Sequence, residues 1–113
     1  MHSNRQLKVG ETIKRILVEV IRRYSGFGPL DHTSILISKV LMTADLSLAD
    51  VYVLPMFGSK MSDLELVTLL NQHAAKIRHE LARKLTLRQL PTLRFKTDDS
   101  FVKNAKIDEL LKH

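Results

Sequence analysis

The strongest constraint on the fold is a change of apolar period along the chain. From Val9 the apolar residues fall at Val9, Ile13, Ile16, Leu17, Val20, Ile21 and Tyr24. That spacing traces one stripe of a 3.6-residue helix. Lys8, Glu11, Arg15, Glu19 and Arg22 take the other side. Ser25-Gly26-Phe27-Gly28-Pro29 ends the helix, because glycine and proline do not continue it. The period then shortens. Residues 34–43 are dense in β-branched Ile35, Ile37 and Val40 and predict a strand, with Lys39 interrupting the apolar run. Ala49 to Leu54 alternates and predicts a second strand paired with the first. Pro55 cannot donate to a ladder, so it belongs at the strand's end or on an edge.

The helical period returns after Gly58. Ser62 with Glu65 three residues on is a capping-box pattern. Residues 63–85 contain no Gly or Pro. Leu64, Val67 and Leu70, then Ala74, Ile77, Leu81 and Leu85, predict two helical pieces that meet around Asn71-Gln72-His73. Thr92 to Thr97 alternates strictly, a third strand with Leu93 and Phe95 toward the core. Asp98-Asp99-Ser100 forms a turn and cap, and Ile107, Leu110 and Leu111 predict a short terminal helix.

The 113 residues amount to one domain, 1–113. The order α-β-β-α-α-β gives an α+β fold with a three-stranded sheet covered by helices, followed by the short C-terminal helix. It is the order of the type II KH fold, which binds single-stranded nucleic acid beside its paired helices. Ordinary KH domains clamp the nucleotide backbone with a Gly-x-x-Gly loop between those helices. Here the glycines are Gly10, Gly26, Gly28 and Gly58, so that loop is absent.

Several functions are excluded or disfavoured. The longest run without Asp, Glu, Lys or Arg is ten residues, Leu66 to Ala75, and a spanning helix needs about 20 apolar residues. The first six residues lack the apolar core of a signal peptide. Without cysteine there are no disulfides, thiolate metal sites or thiol catalysis, and a cytoplasmic location is expected. His73 and His79 are six apart, off the i, i+4 spacing of paired metal ligands on a helix. Adjacent Asp98 and Asp99 are read as caps rather than as a catalytic pair. No nucleophile elbow or phosphate-cradling loop occurs. An enzyme is not expected, nor a cofactor, a metal or a small-molecule substrate.

Charge points instead to a polyanion. Lys and Arg total 18 and Asp and Glu 12, a net +6. Residues 44–73 carry four acidic side chains against Lys60. From Lys76 to Lys96 there are seven basic side chains against Glu80 alone. Positive charge gathered in one segment is the footprint of nucleic acid, although a solvated basic face would use the same residues. On the second helix of the pair, Ala74, Ile77, Leu81 and Leu85 point inward. Lys76, His79 and Arg83 point directly away, and Arg78 and Lys84 flank the apolar stripe. With Arg94 and Lys96 on the next strand, this suits phosphate contact. Six aromatic rings and no Trp make base stacking a minor theme, and Tyr52 and Phe95 are expected in the core.

Arg5-Gln6-Leu7-Lys8-Val9, Asp45-Leu46-Ser47 with Ala49-x-Val51-Tyr52-Val53, Ile77-Arg78-x-x-Leu81, and Leu87-Arg88-x-x-Pro91-x-Leu93-x-Phe95-x-x-Asp98-x-Ser100 recur together in one family. With Ile107-Asp108-x-Leu110-Leu111, the chain resembles ribosome-binding factor A from about Arg5 to Leu111. The resemblance implies a type II KH-like domain without the glycine loop. It also implies a cytoplasmic, monomeric, non-enzymatic factor that binds the small ribosomal subunit on its ribosomal RNA. Such a factor assists late maturation and RNA processing, most of all in the cold. Arg5, Lys8, Lys76, Arg78, His79, Arg83, Lys84, Arg88 and Arg94 are the expected RNA contacts. The family's helix-pair kink at Ala-x-Gly falls here on His73-Ala74-Ala75, and the loop from Ser25 to Asp31 departs from the expected Asp-Pro-Arg. Two other readings are a KH-like binder of another single-stranded RNA and an interaction module for an acidic protein.

Overall fold

The computed structural model describes residues 2–24, 26–27, 35–56, 61–86 and 89–98. Their elements are α1 (Asn4–Arg23), β1 (Ile35–Met42), β2 (Leu48–Pro55), α2 (Asp63–Gln72), α3 (Ala74–Ala82) and β3 (Thr92–Thr97), in the predicted order. The expected terminal helix and Arg88 lie outside the described residues.

α1 begins one turn before the apolar stripe because Ser3 caps it. Ser3 Oγ accepts from the Gln6 N–H (3.2 Å) and the Ser3 N–H donates to Gln6 Oε1 (2.8 Å), a full capping box. Gln6 Nε2 also donates to the Met42 carbonyl (3.1 Å), which ties the start of α1 to the end of β1. Arg22 and Arg23 occupy the last turn, where the helix dipole favours cations.

The sheet order is β1-β2-β3. β1 and β2 form an antiparallel hairpin, and β3 runs parallel to β2 on its other side. The hairpin register shifts between Ile37 and Lys39. The extra residue lets Ile37 and Val40, three apart, both face the core. In the connecting turn, Leu46 takes a positive φ of 61°. Asp45 Oδ1 accepts from the Ser47 N–H (3.1 Å), Ser47 Oγ (2.7 Å) and Thr43 Oγ1 (2.8 Å). These bonds, from Ser47 first and then Thr43, hold the Asp45 carboxyl below the usual carboxylate range.

The three described helices lie on one face of the sheet. Ile13, Leu17, Leu66, Leu70, Ile77 and Leu81 meet Ala49, Val51, Val53, Leu93 and Phe95 in one core. Burying a side chain of this size contributes about 1.5–3 kcal/mol, so the inward stripe of α3 is a main anchor. The α2 stripe differs from the expected one. Leu66 and Leu70 are buried, Val67 is half-buried, and Leu64 is 74% exposed. α2 is apolar on both sides, so its period alone does not choose between them, and packing on β3 and β2 does. Tyr52 is likewise outside the core. It lies half-buried on the open face of the sheet with Lys39 Nζ 4.7 Å from its ring centre, whereas Phe95 is in the core as expected.

Candidate nucleic-acid interface

α3 presents the basic row. Ile77 and Leu81 are fully buried, which turns Lys76, His79 and Arg83 to solvent on the opposite side. Among the described residues Arg83 pairs with Glu80 at 3.7 Å, with both side chains well exposed. Such surface pairs are worth about 0–1 kcal/mol, so Arg83 can exchange Glu80 for a phosphate at little cost. Lys84 reaches across to Glu19 of α1 at 3.8 Å, also at the surface. Arg23, Tyr24, Val20, Glu80 and Lys84 line the cleft between the two helices there. Arg23 was not among the expected contacts. Its place in the last turn of α1 is visible in the sequence, but its meeting with α3 is not.

Arg5 and Lys8 are exposed at the far end of α1. α1 meets Lys84 at Glu19, eleven residues beyond Lys8. At 1.5 Å per residue that is roughly 16 Å along the axis. The structure therefore does not gather Arg5 and Lys8 with the α3 row.

Arg78 and Arg94 are already engaged within the fold. Arg78 Nε donates to the Pro91 carbonyl (2.9 Å) and Nη2 to the Leu90 carbonyl (2.8 Å), so its fork clamps the approach to β3. Arg94 follows the strand alternation to the open face of the sheet, away from the helices, since Leu93 and Phe95 point into the core. There its Nε and Nη2 grip Asp50 Oδ1 (2.7 Å) and Oδ2 (3.2 Å), and Lys96 Nζ approaches Oδ2 at 3.4 Å. Partial burial pushes the Asp50 carboxyl up. The hydrogen bonds and charges of Arg94 and Lys96 together outweigh that and hold it below the usual carboxylate range. A phosphate taking Arg94 would leave that half-buried carboxylate with a weaker partner, a cost Arg83 does not carry. The helix row and the β3 cations thus lie on two faces rather than one.

The joint between α2 and α3 falls at His73, with φ −101° and ψ 5°. That backbone conformation is open to any residue, so the joint at His73 needs no glycine there. Tyr24 Oη and His73 Nδ1 are hydrogen-bonded at 2.8 Å. Phe27 closes the cluster with ring centres 4.7 Å from Tyr24 and 5.1 Å from His73. On the other side, Asn71 donates to the Phe95 carbonyl (3.0 Å) and accepts from its N–H (2.9 Å), imitating a neighbouring strand on β3. Among the described residues no cluster of His, Asp or Glu could hold a metal ion. No described helix is long and apolar enough to cross a membrane.

A family model for ribosome-binding factor A matches residues 5–111. The chain belongs to the ribosome-binding factor A family. A ribosome-binding factor A of Cereibacter sphaeroides is 39% identical over 100 residues, covering 88% of this chain and 72% of that one. The fold agrees with the solution structure of a Thermotoga maritima protein described as a putative ribosome binding factor A. That similarity has TM-score 0.68 and 26% identity, covering 85% of this chain and 89% of that one. It agrees too with a homology model of the Thermus thermophilus factor fitted into a cryo-electron-microscopy map of its complex with the 30S subunit. There the TM-score is 0.63 at 22% identity, covering 83% and 96% of the two chains. The type II KH-like reading and the absent glycine loop are thus features of a family member.

Proposed function

We propose that this protein binds the small ribosomal subunit and assists its late maturation, including processing of its ribosomal RNA, in the cytoplasm and without catalysing a reaction. The observation that carries the binding face is the outward row of Lys76 and His79 on α3 with Arg83 at its C-cap. These side chains lack the strong internal partners that occupy Arg78 and Arg94. Family membership and the Thermus thermophilus factor's complex with the 30S subunit support the choice of partner. RNA is held by phosphates along α3 and the adjoining end of α1, with Arg23 and Lys84 at the seam. No glycine loop takes part. Contacts of this kind position the protein by RNA shape more than by sequence.

The test is a Lys76→Ala/Arg83→Ala double variant. Both positions are exposed, so stability should move by about 0.5 kcal/mol or less. Binding to small subunits should weaken, and the slope of log affinity against log salt should become shallower by about 1–2, following roughly 0.7–0.9 per lost phosphate contact. A folded variant that binds small subunits as tightly, with the parent's salt slope, refutes this face.

A further inference from the structure

We infer that the outer side of α2 is a second docking surface, which takes a basic protein segment of the small subunit rather than RNA. The inference rests on the small subunit being the partner, as proposed above. Leu66 and Leu70 of α2 are buried in the core and Val67 and Leu69 pack half-buried against it, which leaves one leucine of the helix outside. Leu64 stands 74% exposed. With half-buried Met61 and Leu69 and the stem of Gln72, it lines an open apolar cleft. An exposed leucine beside half-buried apolar side chains is surface that a partner's apolar side chain can cover.

Charge decides the occupant. Residues 61–75 contain Asp63 and Glu65 and no Lys or Arg. Among the described residues, neither carboxylate forms an ion pair. An acidic, apolar face is repelled by phosphates, so it cannot lie on ribosomal RNA as α3 does. Proteins that sit on RNA are basic for the same electrostatic reason. A lysine- or arginine-rich segment that also offers an apolar side chain to Leu64 matches both halves of the surface. One helix pair would then straddle a boundary in the subunit, with α3 on RNA and α2 on protein.

The experiment compares intact small subunits with protein-free small-subunit ribosomal RNA as binding targets for the full chain. Leu64→Gln keeps a good helix former at an exposed site. It should weaken binding to intact subunits roughly tenfold or more, the effect of losing a buried leucine contact, and leave binding to the free RNA unchanged. Asp63→Asn/Glu65→Gln should weaken binding to subunits but bind free RNA at least as well, two repelling charges having gone. The chain has no cysteine, so Leu64→Cys carries a single benzophenone-maleimide label, whose photo-cross-link on the subunit should fall on a basic ribosomal protein. Unchanged binding of Leu64→Gln to subunits overturns the inference. Equal loss on subunits and free RNA overturns it as well, as does a cross-link confined to RNA. Failure of the parent to bind free RNA would instead count against the phosphate-binding role of α3, and the cross-link would still decide the occupant of α2.

Discussion

Gly10 is the place where elementary propensity and packing make opposite predictions. It is buried near the start of α1. Replacing a helix-interior glycine by alanine gains about 1 kcal/mol from propensity alone, so a reader of the sequence would expect Gly10→Ala to stabilise. In the fold, a Cβ on Gly10 would lie 2.5 Å from the carbonyl oxygen of Val40, about 0.9 Å inside the 3.4 Å at which ordinary contact begins. The obstacle is strand backbone, which cannot rotate aside as a long side chain would. α1 must therefore lift from β1, loosening Ile13 and Leu17 beneath it. Overpacking of this kind costs about 1–3 kcal/mol, and a backbone contact belongs at the upper end. Net of the propensity gain, Gly10→Ala should destabilise by about 2 kcal/mol. At about 4–8 °C per kcal/mol for a domain near this size, Tm should fall by roughly 8–16 °C. Thermal unfolding followed by circular dichroism measures it, with Glu11→Ala on the exposed side of the same turn as the control, expected within about 0.5 kcal/mol of the parent. A rise in Tm for Gly10→Ala would refute the close approach of α1 to β1.

Three further outcomes follow from the same contacts. Ile77→Asp places a carboxylate at a fully buried site at the centre of α3. The cost of several kcal/mol is comparable with the whole stability of such a domain, so cooperative unfolding at the parent's Tm would contradict its placement. Arg78→Ala should lower stability by about 1–2 kcal/mol through the lost bonds to Pro91 and Leu90, and a Tm as little changed as that of Lys76→Ala/Arg83→Ala would show that the clamp is not made in solution. Because the folded-state pKa of Asp50 is depressed, its contribution is present above the unfolded carboxylate value near 3.9 and is lost as pH falls through the folded value. The stability gap between the parent and Asp50→Asn should therefore be open at pH 7 and close as pH falls below about 4. A gap that stays constant from pH 7 to pH 2 would mean that the Arg94–Asp50–Lys96 group does not form.

What the sequence determined by itself is local and periodic. The stripe from Val9 to Tyr24, the strict alternation of β3, the cap at Ser62 and the break at Asn71-Gln72-His73 each depend on neighbours within a few residues. All four are present in the fold. The identity of the family was legible for a similar reason, since its motifs are short runs of fixed spacing. Tertiary structure decided whatever depends on partners far along the chain. It chose Leu66 and Leu70 over Leu64 as the inward side of α2, because an apolar residue sits in each stripe and only β2 and β3 break the tie. It placed Tyr52 under Lys39 on the open face of the sheet. It also divided the basic segment. Lys76 and His79 face solvent and Arg83 has a surface pair with Glu80, while Arg78 is drawn to the carbonyls of Leu90 and Pro91 and Arg94 to Asp50, 44 residues away. A run of cations in sequence shows only that positive charge is near. Whether each cation meets solvent or an internal acceptor depends on register, because adjacent strands set Asp50 directly opposite Arg94.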